Sequence, residues 1–71
     1  MNFTYNTIFI NGEAFNCLYS MSLQDLILYL DFDINTVIVE HNQQIISKEL
    51  FNEIFFKHQD KLEVITIVGG G

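Results

Sequence analysis

The stretch SLQDLILYL (22–30) is the one segment whose apolar residues recur at clear helical spacing, and it constrains everything around it. Leu23, Leu26, Ile27 and Leu30 stand at i, i+3, i+4 and i+7, a single stripe on a helix of period 3.6. Ser22 can cap the first free N–H groups, and Asp25 stands where the reciprocal acid of a capping box belongs. A helix apolar on one side must bury that side against a second layer. The chain has 71 residues, enough for one core, and its other apolar runs are strand-like, so the second layer is a sheet.

The strands follow from alternation and turn chemistry. YNTIFI and EAFNCL flank Asn11-Gly12, and this pair supplies the positive φ angles of a type I′ turn, which predicts strands near 5–10 and 13–18. TVIVEH (36–41) is a short β-branched run, expected to be a third strand ending near Asn42. The segment QQIISKELFNEIFFKHQD is ambiguous, and the expectation is one helical turn near 48–52 and a short strand near 54–57. LEVITIV (62–68) is the last strand, with Leu62, Val64 and Thr66 on one face and Glu63, Ile65 and Ile67 on the other. An N-terminal hairpin, one crossing helix and a final strand able to lie beside the first make an α+β roll, a mixed sheet of four to five strands. This is the β-grasp arrangement that ubiquitin also adopts. Residues 1–68 are expected to form its single domain, and 69–71 a glycine tail.

Charge narrows the partners. Nine acidic residues against three lysines, with no arginine, give a formal net charge of −6. Such a surface repels phosphate backbones and anionic lipid, and favours a basic protein partner. No apolar run approaches the ~20 residues of a membrane-spanning helix. Residues 1–10 carry no basic region before an apolar stretch, so a signal or transit peptide is not expected. The protein is therefore expected to work where it is made, in the cytoplasm, or in the plastid stroma if organelle-encoded. Richness in Ile, Asn and Phe without Arg or Pro points to an AT-rich genome such as that of a plastid or an AT-rich bacterium.

No catalytic constellation emerges, so the chain is expected not to be an enzyme. His41 and His58 have no Cys or second His at ligand spacing and are expected to be surface or strand-end residues. Cys17 lies in a strand without a basic neighbour and is expected to be a small core residue. Glu49 and Glu53, with Lys48 and Lys57 nearby, form a solvated polar face, and Gly12 belongs to its turn rather than to a phosphate loop.

The chemistry gathers at VITIVGGG. Ile65 and Ile67 share the face of Glu63 and either form an apolar docking patch just before the tail or cover an extension of the core, with Val68 a further candidate for docking. Gly69-Gly70-Gly71 has no Cβ and can thread a passage that admits only backbone, at a high entropy of ordering that a partner gripping the folded body would have to offset. The α-carboxylate of Gly71, with an ordinary pKa near ~3.3–3.7, is ionised at neutral pH and can attack the α-phosphorus of ATP to give an acyl adenylate. A frayed terminus or an appended linker is the alternative.

The ordered set of segments resembles the sulfur carrier proteins of thiamin biosynthesis, the ThiS family. IFINGEAF is similar to the family's L-x-(L/V)-N-G-x-x start, and SLQDLILYL to its T(I/V)-x-x-L-L-x-x-L helix. VIVEHNQQIISKELF is similar to its middle strand and turn followed by I-(I/V)-(P/S/G)-(R/K)-x-x-(W/Y/F), and LEVITIVGGG to its closing I-E-I-V-x-x-V-G-G-G. There are two departures. HQD (58–60) keeps only Asp60 of the family's D-G-D turn, and Lys48 replaces a common arginine, removing a bidentate donor.

The resemblance implies that a ThiF-type enzyme adenylates Gly71 with ATP and magnesium, the carrier itself binding no cofactor or metal. Cysteine-derived sulfur, delivered through a desulfurase, would turn the adenylate into a thiocarboxylate that donates sulfur to the thiazole synthase ThiG. Gly69 and Gly70 would thread into partner active sites, and Ile65, Ile67 and Val68 would dock. Two other readings are a sulfur carrier of the molybdopterin synthase small-subunit type and an interaction module whose tail is never modified.

Overall fold

The computed structural model describes residues 5–67; Val68 and the three glycines lie outside the described residues. Five strands form one mixed sheet: β1 (Tyr5–Ile10), β2 (Glu13–Leu18), β3 (Val37–His41), β4 (Gln44–Ile46) and β5 (Lys61–Thr66), in the spatial order β2-β1-β5-β3-β4. β1 and β5 run parallel at the centre, and every other neighbouring pair is antiparallel. The helix α1 (Leu23–Tyr29) covers one face, giving the roll expected from the order of elements.

Local chemistry sets each boundary. At the first hairpin Asn11 has φ 50° and Gly12 φ 86°, as the type I′ turn requires, and the register pairs Ile10 with Glu13 and Ile8 with Phe15. The capping box forms: Ser22 Oγ accepts from the Asp25 N–H at 3.1 Å while the Ser22 N–H donates to Asp25 Oδ2 at 3.0 Å. The helix ends in a Schellman motif, in which the Phe32 N–H donates to the Ile27 carbonyl and the Asp31 N–H to that of Leu28. Asp31 supplies the left-handed residue, φ 66°, where glycine is the usual choice.

Leu23, Leu26 and Ile27 are fully buried against Ile8, Cys17, Val39, Leu62, Val64 and Phe51, with Leu30 packed at the margin of this core. Burying one such aliphatic side chain stabilises the fold by ~1.5–3 kcal/mol, so the stripe supplies most of what holds helix to sheet.

Two expectations are corrected between 42 and 57. The fourth strand is Gln44–Ile46, paired antiparallel with β3 through a turn at Asn42-Gln43, and the predicted strand near 54–57 does not form. The hairpin lacks the usual glycine: Gln43 takes φ 72° and Asn42 φ 50°. Asn42 is fixed from outside the turn, where its N–H donates to the Lys61 carbonyl and its Oδ1 accepts from the Lys61 N–H, both at 2.8 Å. A 3-10 segment, Lys48–Glu53, then buries Phe51, one residue longer than the expected turn. The backbone of 54–57 is divided among several partners instead of pairing as a strand. Phe55 makes an isolated bridge with Ser22, and the Ile54 carbonyl accepts from the Leu23 N–H. The Phe56 carbonyl accepts from Asn6 Nδ2 of β1 at 2.9 Å, and the Lys57 N–H donates to Asp60. Their phenylalanines diverge, Phe56 entering the core and Phe55 staying exposed.

Candidate functional site

β5 leads into the glycine segment, and its placement is fixed at both ends. At its start, Asp60 is buried and accepts three hydrogen bonds: from His41 Nε2 at 2.7 Å, Asn42 Nδ2 at 3.0 Å and the Lys57 N–H at 2.8 Å. Burial alone would push this carboxyl up. The hydrogen bonds from Asn42, Lys57 and His41, with the charge of His41, outweigh it and hold the pKa below the ordinary 3.8. Gln59, where the family pattern has glycine, takes φ 71° and donates its N–H to the Thr7 carbonyl at 2.6 Å. At the other end the Ile67 N–H donates to the Thr36 carbonyl, also at 2.6 Å. The 3-10 turn Ile34–Thr36 that carries this acceptor is tied by Lys48 Nζ to Asn35 Oδ1 at 3.0 Å. Lys48, in the position of a family arginine, therefore braces the point from which β5 leaves the sheet.

The sheet face away from α1 carries an apolar row. Ile65 and Ile67 are 54% and 49% exposed, which decides between the two readings of these residues: the core does not extend over them. Ile38 lies directly opposite Ile65 in the β3–β5 register, and Ile45 faces the same side from β4. Ile38 was implicit in the alternation of TVIVEH; its place beside Ile65 was not. Ile45 sits in the strand that the sequence did not disclose.

Cys17 is buried and its thiol is pushed up by that burial, which disfavours the thiolate. His41 is a half-buried strand-end residue stacked edge-on against Phe56, and exposed His58 accepts from the Thr7 N–H through Nδ1. These three residues serve the fold. The sequence-derived site residues Val68, Gly69, Gly70 and Gly71 lie outside the described residues. No helix among the described residues is long and apolar enough to cross a membrane.

A five-stranded mixed sheet with parallel central strands and one helix across it defines a ubiquitin-like β-grasp protein. The solved structure of the thiamine biosynthesis protein ThiS from Geobacter metallireducens matches with a TM-score of 0.77 at 25% identity, over 92% of this chain and 99% of that one. The chain belongs to the ThiS family, whose model matches residues 8–71. It is 54% identical over 65 residues to the ycf40 protein of Pyropia yezoensis, covering 92% of each. It is 38% identical over 50 residues to the sulfur carrier protein ThiS of Bacillus subtilis, covering 70% of this chain and 76% of the other. The thiazole synthase of Paramagnetospirillum magneticum is 37% identical over 62 residues, 87% of this chain but only 19% of that longer protein.

Proposed function

We propose that this chain is a sulfur carrier for the thiazole moiety of thiamin, with the Gly71 carboxylate as the reactive group. The observation that carries the reading is the extent of the family match, which runs through the glycine segment to residue 71. In the first step a Gly71 carboxylate oxygen attacks the α-phosphorus of ATP on a ThiF-type enzyme, and pyrophosphate leaves. Cysteine-derived sulfur arrives from a desulfurase as a persulfide, whose terminal sulfur displaces AMP from the acyl adenylate; a thiol then reduces the resulting acyl disulfide and leaves a thiocarboxylate. A thiazole synthase of the ThiG type takes that sulfur. ATP and magnesium belong to the activating enzyme; the carrier is a co-substrate and catalyses nothing.

The fold supports this division of labour. Ile67 is fixed to Thr36, so the body delivers the following glycines from a defined point. Ile65 and Ile67 stand exposed just before them, which supports a docking role for these two, taken together with Val68. Gly69 and Gly70, without side chains, then suit a narrow active-site channel. The thiazole synthases of Paramagnetospirillum magneticum and Magnetococcus marinus each contain a segment matching this chain, over 19% and 20% of their lengths, which supports a synthase as the acceptor. Residues 1–10, without a basic region before an apolar stretch, support work where the chain is made, in the cytoplasm or, for an organelle-encoded chain, the plastid stroma.

The test is intact mass spectrometry after incubation with ATP, magnesium, a ThiF-type enzyme and a sulfur donor. Exchange of one oxygen for one sulfur, localised to the C-terminal peptide, is expected. An unchanged mass, with the same enzyme active on the Bacillus subtilis carrier, leaves an unmodified interaction module.

A further inference from the structure

Glu40 and Glu63 face each other directly across β3 and β5, on the same outer face as the adjacent pair Ile38 and Ile65. Side chains so placed have Cβ atoms about 4.5–5.5 Å apart, and like charges there oppose strand pairing. Among the described residues the one ion pair is His41–Asp60, so neither glutamate has an ion-pair partner among them. Lys61 shares their face but belongs to the register with Phe9, one step further along β5. A shallow concavity lined by Phe9, Gly12, Lys61 and Glu63 opens beside the pair. The sheet thus presents an apolar row ending at two carboxylates that have no ion-pair partner among the described residues, on a chain of net charge −6 without arginine.

We infer that this face docks a protein surface that places a cationic side chain, arginine above all, between Glu40 and Glu63 while its apolar residues cover Ile38, Ile65 and Ile67. The planar guanidinium fork suits two converging carboxylates, and an anionic occupant such as nucleic acid or an acidic membrane is repelled. Resting on the carrier reading, the inference assigns this surface to the activating enzyme, which has to hold the body while the glycines reach its nucleotide. Apolar contact supplies the grip, and the carboxylates set orientation and partner choice.

The experiment measures affinity of the full chain for the ThiF-type enzyme that accepts the Bacillus subtilis carrier, at low and raised salt. Glu40→Gln, Glu63→Gln and the double variant are compared with Glu49→Gln, which removes one charge from the distant 3-10 segment. The double variant should bind at least about 10-fold more weakly than wild type, and its affinity should depend less on salt. Glu49→Gln should bind as wild type. Removing like-charge repulsion should leave the double variant no less stable than wild type in urea, so weaker binding does not reflect misfolding. Wild-type affinity and salt dependence in the double variant overturn the cation seat and leave the carrier reading standing. Equal weakening by Glu49→Gln also overturns it, because net charge alone would then explain the effect. A wild-type chain that neither binds nor acquires sulfur overturns the carrier reading and the seat with it.

Discussion

The Asn11 side chain binds both backbone groups of Val64: its Oδ1 accepts from the Val64 N–H at 2.8 Å and its Nδ2 donates to the Val64 carbonyl at 3.2 Å. β1 ends at Ile10, and the Asn11 N–H continues the parallel ladder to the Leu62 carbonyl. The side-chain amide then stands in for the next residue of a strand that has already turned away. One residue thus serves the hairpin through its φ and the central strand through its amide.

Asn11→Gly separates these roles, since glycine keeps the positive φ and loses the amide. We expect it to lower stability by about 1–2 kcal/mol, the net value of two hydrogen bonds at a part-buried site. Urea unfolding with an unchanged m value would measure this. Wild-type stability would mean that solvent serves Val64 equally well.

Gln43 and Gln59 hold left-handed backbone without glycine's freedom, at φ 72° and 71°. That conformation costs an ordinary residue roughly 1–2 kcal/mol, partly offset in a glycine variant by the ~0.5–1 kcal/mol of extra entropy that glycine loses on folding. Gln43→Gly and Gln59→Gly should therefore each stabilise the protein by about 0.5 kcal/mol, read as a rise in thermal midpoint.

Asp60 gives the fold an acid-sensitive joint. Its folded pKa is depressed, so its contribution is fully present above the ordinary value of 3.8 and fades as pH falls through the lower folded value. Asp60→Asn should be less stable than wild type at neutral pH, with a flatter decline toward acid, and the two curves should converge at low pH. Denaturant unfolding at stepped pH measures both. Parallel curves would show that Asp60 does not govern the acid limb.

Ile65→Asp tests the docking row independently of the carboxylates. Ile65 is more than half exposed, so the loss of stability should stay within about 1 kcal/mol, the span of β-propensity. Binding to the activating enzyme should fall at least about 10-fold, since a charge would be buried in an apolar contact. Wild-type binding by the folded variant would remove the row from the site.

What the sequence determined by itself is local. The spacing of Leu23, Leu26 and Ile27 determines a one-sided helix, Ser22 and Asp25 its start, and Asn11-Gly12 the first hairpin, because each signal acts within one turn of chain. Alternation from Leu62 to Ile67 also set which side chains face away from the core. Asp31 and Gln43, by contrast, take positive φ at positions where a glycine would have announced it. Asp31 is held by the helix end it closes, and the turn at Asn42-Gln43 by contacts to Asp60 and Lys61 about twenty residues away. Residues 54–57 form no strand because distant groups divide their backbone: Ser22 and Leu23 take Phe55 and Ile54, the Asn6 side chain takes Phe56, and Asp60 takes Lys57. Only the tertiary structure set Ile38 against Ile65 and Glu40 against Glu63. Register between distant strands comes from burying a whole face at once, and no short stretch of sequence carries that information.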